Sequence, residues 1–68
     1  MSASVVEIVI QGTIGDTLDD LLPGFRVDRV ENGRTHLVGP ILDQARLHSV
    51  LILLSNLNIE FVSVNPVR

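Results

Sequence analysis

The chain is 68 residues long, 46% hydrophobic and 19% charged, with two phenylalanines as its only aromatics, no cysteine and a formal charge of −3. That length allows one small domain over residues 1–68. A chain this short buries only about 60% of the surface its unfolded form exposes, so one core alone leaves its stability marginal. The lack of cysteine excludes a disulfide, a thiolate metal site and a Cys nucleophile, and the apolar balance excludes disorder.

The longest unbroken apolar run, Val50 to Leu54, is far too short to span a membrane as a helix. The first residues carry neither the basic nor the apolar part of a signal peptide, so a cytoplasmic location is expected. All five basic residues are arginines, set against eight carboxylates. With an acidic balance and only Phe25 and Phe61 to stack on bases, the composition speaks against nucleic acid and against an anionic membrane surface as partners.

In chain order, Val5 to Gln11 is β-branched and aliphatic around a single charge, Glu7, and stops at Gly12. This predicts a strand. Asp16 to Leu22 starts on a capping carboxylate and repeats leucine at Leu18, Leu21 and Leu22 before Pro23-Gly24, which predicts a helix of about two turns. Phe25–Val30 and Arg34–Val38 flank Glu31-Asn32-Gly33, and Asn-Gly is the preferred pair of a type I′ hairpin turn. That turn sets Glu31 opposite Arg34 and Arg29 opposite His36. Simple alternation then places Phe25, Val27, Arg29, His36 and Val38 on the expected core face, and Arg26, Asp28, Val30, Thr35 and Leu37 on the other.

Gly39-Pro40 ends that strand, and Asp43 reads as the cap of a helix over about Gln44 to Leu57. Its Leu47, Val50, Leu51 and Leu54 fall at i, i+3, i+4 and i+7. Asn56-Leu57-Asn58 supplies a stop, and Ile59 to Val64 reads as a last strand before Asn65-Pro66. The resulting β-α-β-β-α-β order predicts an α+β ferredoxin-like split sandwich: a four-stranded antiparallel sheet with two helices on one face.

The stretch from Arg34 to His48 resembles a set of uncharacterised small bacterial proteins of about this length with a T-x-L-x-G-P-x-x-D-Q-A-x-L-H pattern. Gly39-Pro40, Asp43-Gln44-Ala45, Leu47-His48 and, further on, Ser63-Val64 carry the likeness. It implies a small standalone α+β protein and brings no active site with it. Those relatives carry tryptophans in the first helical segment and polar residues at the positions of Ile52 and Leu53, where this chain differs.

No catalytic, metal or cofactor set emerges from the spacing. Asp43 and His48 lie five apart on one helix and so point to different sides of it. Asp16, Asp19 and Asp20 lack the alternation of a calcium loop and suit a helix start. Gly12-Thr13-Ile14-Gly15 lacks the Lys-Ser/Thr of a phosphate loop. The spacing thus leans against catalysis without deciding it, and no cofactor is expected.

The more informative feature is apolar surface left over. On the helical wheel Ile52 and Leu53 fall at or beyond the edges of the buried stripe. The sheet face without helices is expected to hold some of Val5, Val9, Leu37, Val62 and Val64. Ile52, Leu53, Leu37, Val62 and Val64 are thus the interface candidates, and the leading expectation is a module that associates with itself or with a larger protein. The alternative is an oligomer that binds a small molecule, or a small enzyme, with a pocket between subunits. Its polar contacts would come from His36, His48, Arg29 and Arg46. ACT-type ligand-binding domains share the predicted element order, but their glycine-bearing loop is not seen here.

Overall fold

The structure is a computed structural model that describes residues 4–14 and 22–67. The aliphatic run becomes β1 (Ser4–Gln11); β2 (Arg26–Glu31) and β3 (Arg34–Ile41) form the hairpin; α1 (Gln44–Asn56) follows, and β4 (Phe61–Val67) closes the sheet. The strands lie in the order β2-β3-β1-β4, each antiparallel to its neighbours. No helix among the described residues is long and apolar enough to cross a membrane.

The expectation of a two-helix β-α-β-β-α-β ferredoxin-like sandwich is corrected by this structure. The described residues hold four antiparallel strands and one helix, in the order β-β-β-α-β. The expected first helix, Asp16 to Leu22, falls outside the described residues except for Leu22, whose side chain is buried. Three leucines over two turns are too short a pattern to establish a helix by spacing alone.

The hairpin forms as its turn residues dictate. Asn32 and Gly33 have φ of 55° and 74°, the two positive values a type I′ turn needs. Glu31 pairs with Arg34, and Arg29 with His36, as expected. Beyond Arg29 the register shifts, because Asp28 is bulged between the Val27–Leu37 and Arg29–His36 pairs. The bulge reverses which side the odd-numbered residues face. Phe25 and Val27 lie on the helix side, whereas Arg29 and Glu31 lie on the other.

The core face predicted for β3 is therefore the wrong one. Thr35, Leu37, Gly39 and Ile41 face the helix, paired with Ile10, Ile8, Val6 and Ser4 of β1. His36 and Val38 face away. The core gathers Val6, Ile8, Ile10, Phe25, Leu37, Ile41, Val50 and Leu54, with Leu22 beside them. Phe25 lies so close over Gly39 that a Cβ there would sit 2.5 Å from its ring. Thr35, the one buried polar side chain among the described residues, donates its hydroxyl to the Gly12 carbonyl at 2.5 Å.

Helix α1 begins where its sequence says. Asp43, extended at φ −159°, accepts the Arg46 N–H at 2.8 Å. It ends at Leu57 with Asn58 in the left-handed conformation at φ 59°, and the Ile59 N–H bonds back to the Leu54 carbonyl at 2.9 Å.

Candidate functional site

Two strands determine what the helix-free face presents. Along β1, Val6, Ile8 and Ile10 turn to the core, which leaves Val5, Glu7, Val9 and Gln11 on the other side. Glu7, the single charge in that strand, therefore marks the open face. In β4 a second bulge falls at Val62, between the Val9–Ser63 and Ile10–Phe61 pairs. Ser63, Asn65 and Val67 share the open face with Val9, Glu7 and Val5.

Arg29, His36, Val9 and Ser63 form one straight row across all four strands, with a bulge at each end of it. Bulges re-aim side chains and are over-represented beside binding sites. A shallow groove of about 250 Å³ opens along this row, lined by Glu7, Val9, Glu31, Arg34, His36 and Ser63 together with Asn32 and Val62.

The row has a charged half and a neutral half. Arg29 lies among three carboxylates: its Nη1 is 3.2 Å from Asp28 and 3.8 Å from Glu7, and its Nε is 3.7 Å from Glu31. These pairs are half-exposed, so each contributes at most about 1 kcal/mol. His36 is more enclosed. Its Nδ1 is sealed from water without a hydrogen-bond partner, 3.4 Å from the same Glu7 oxygen that Arg29 approaches. Arg34 extends to Gln11, Nε donating to Oε1 at 3.4 Å. Ser63 accepts from the Asn65 amide at 3.4 Å.

His36 and Ser63 are separated by the width of β1, roughly 10 Å at the usual strand spacing. A Ser–His relay is thus out of reach. Among the described residues, no three His, Asp or Glu side chains converge on a point where a metal ion would sit.

Of the four expected polar contacts, the structure joins His36 and Arg29 and separates them from His48 and Arg46. The latter two are exposed on α1, on the opposite side of the sheet. The interface candidates divide as well. Val62 is exposed on the open face, and Ile52 is 60% exposed on the helix. Leu37 is 0% exposed in the core, on the helix side of the sheet rather than the helix-free face, while Leu53 and Val64 are partly buried against that core. The sequence reading missed Glu31, Arg34 and Ser63. It also gave Glu7 no role in the site, although a lone charge in an aliphatic strand was a usable signal. A larger hollow of about 430 Å³ between α1 and Pro23–Phe25 borders Leu22. Among its lining residues Arg46 and Ser49 are the only polar side chains, and no site is assigned to it.

Fold and site together define a small α+β domain in which, among the described residues, a helix covers one sheet face and leaves open the other, which mixes valines with balanced charge. The chain belongs to the DUF8691 family, a domain of unknown function, whose match spans residues 5–65 and so runs from β1 into β4. No curated protein and no solved structure matches it.

Proposed function

We propose that this domain acts by association, and that its helix-free sheet face meets the same face of a second copy. The observation that carries this reading is the charge balance of that face. Arg26, Arg29 and Arg34 are matched there by Glu7, Asp28 and Glu31, although the chain as a whole carries −3. The surplus acid comes from residues outside the four strands. Two identical acidic chains repel least where each is locally neutral.

Apolar surface supports the same face. Val5, Val62 and Val67 are each about two-fifths exposed there, whereas Val9 and Val38 between them are already buried. An open antiparallel face is ordinarily polar. The sheet edges suit association less well. Edge strand β2 is charged and bulged, and β4 is bulged and contains Pro66, features that block strand-to-strand pairing. A second copy also adds burial that a chain this short lacks.

The face measures roughly 19 by 23 Å from strand spacing and rise, a flat area of roughly 450 Å² per copy. Stable interfaces average about 800 Å² per partner, so a face of this size suits a weak dimer, with a constant between about 1 μM and about 1 mM. A small-molecule pocket is the weaker reading, because ligand sites usually start at about 300 Å³ and are more enclosed than this groove.

Sedimentation from about 1 μM to about 1 mM brackets that affinity. Val62→Asp should raise the dimer constant at least about tenfold, since it sets an unpaired charge in the contact. Ile52→Asp, on the opposite layer, should leave it unchanged. A monomer throughout that range would overturn self-association, and a heterologous partner would then be sought. Equal effects of the two variants would move the contact off the sheet face.

A further inference from the structure

We infer that His36 makes this association sensitive to pH, with the dimer favoured when the imidazole is neutral and weakened when it is protonated. The inference rests on the self-association proposed above and assigns its regulation. It begins from the charge balance of the open face, three arginines against three carboxylates, which holds only while His36 is uncharged.

Charged groups approach His36 from three strands. From β1, Glu7 places an oxygen 3.4 Å from the sealed Nδ1. From β2, Arg29 stands opposite His36 in register and holds its own Nη1 3.8 Å from that same oxygen. Asp28 and Glu31 face Arg29 rather than the imidazole. Arg34, on the same strand, borders the groove as a further cation. From β4 the row is completed by Ser63, which is neutral. Protonation would therefore add a second cation to a carboxylate that already has one, and each face would become net positive.

When two such faces meet, stacked sheets lie about 10 Å apart, and two unit charges at that distance in a partly desolvated interface shift an equilibrium by about tenfold. Imidazole is the side chain that changes charge between about pH 5 and pH 8. The sign follows from linkage: if the dimer holds fewer protons than two monomers, its affinity rises with pH.

The test is the dimer constant by sedimentation at several pH values between about 5.5 and 8, the imidazole window. For the unmodified chain the constant should rise at least about tenfold on acidification across that window. His36→Gln should remove most of this dependence, whereas His48→Gln, on the exposed helix, should keep it. Glu7→Gln, which makes the face positive without acid, should already weaken the dimer at the alkaline end. A dimer whose constant is flat with pH, strengthens on acidification, or keeps its pH dependence in His36→Gln would overturn the inference and leave self-association standing. A monomer at every pH would overturn both.

Discussion

Gly39 offers the sharpest test of the packing that positions the open face. It lies in β3 opposite Val6, and its backbone is ordinary strand, so conformational freedom is not what requires glycine here. Space is. An added Cβ would lie 2.5, 2.6 and 2.7 Å from three atoms of the Phe25 ring, against an ordinary contact of about 3.5–4.0 Å between carbons. Gly39→Ala therefore demands a displacement of about 1 Å from a ring that is only 5% exposed. Overpacking of this kind costs about 1–3 kcal/mol, while alanine returns about 0.5–1 kcal/mol of backbone entropy in a strand. The difference is a net loss between about 0 and about 2.5 kcal/mol, centred near 1 kcal/mol, which is roughly 4–8 °C in Tm for a domain of this size. Melting is followed by circular dichroism at one fixed protein concentration, because the proposed self-association would make Tm concentration-dependent. Shrinking the ring should relieve the clash, so in a double-mutant cycle Phe25→Leu should make Gly39→Ala less costly. A Gly39→Ala chain more stable than the parent, or additive with Phe25→Leu, would refute the claim that the ring sits on the glycine.

Two further changes test how the sheet and helix are tied. Asp43→Ala removes the side chain that accepts the Arg46 N–H at 2.8 Å and should cost about 1 kcal/mol in urea unfolding, with Asp43→Asn recovering most of it. Thr35→Val keeps the shape of a buried side chain but deletes the hydrogen bond to the Gly12 carbonyl. It should cost about 1 kcal/mol and speed hydrogen exchange at the Gly12 N–H, which donates to the Gly33 carbonyl at 2.8 Å.

What was legible in the sequence was whatever is signalled locally. The cap at Asp43, the leucine spacing of α1 and the Asn32-Gly33 turn each act within a few residues. Each led to the right element, and the turn also fixed the Arg29–His36 pairing. The faces of the sheet were not legible, because one extra residue changes the parity of everything beyond it. Asp28 and Val62 have no composition that marks them as bulges; their irregular pairing is set by the strands beside them. Counting by twos through Asp28 put His36 and Val38 on the helix side of the sheet and Leu37 on the other, the reverse of what is found. Glu7 was the one residue whose type alone declared the open side, since an unpaired carboxylate in the core of so small a domain would cost several kcal/mol.

The same two bulges connect fold to function. Each sits in an edge strand and interrupts the row of backbone groups that a neighbouring chain would need for sheet extension. Each also adds a side chain to the open face at the end of one shared row, Asp28 beside Arg29 and Val62 beside Ser63. Growth by edge pairing would have no natural end, since every added copy presents a fresh edge. Contact through a single face is self-limiting at two copies, because the second copy covers it. Under the proposed self-association, closure would cover apolar surface that a chain with 46% apolar residues cannot bury alone. Irregularity at the edges and charge balance on the face thus favour the same closed assembly.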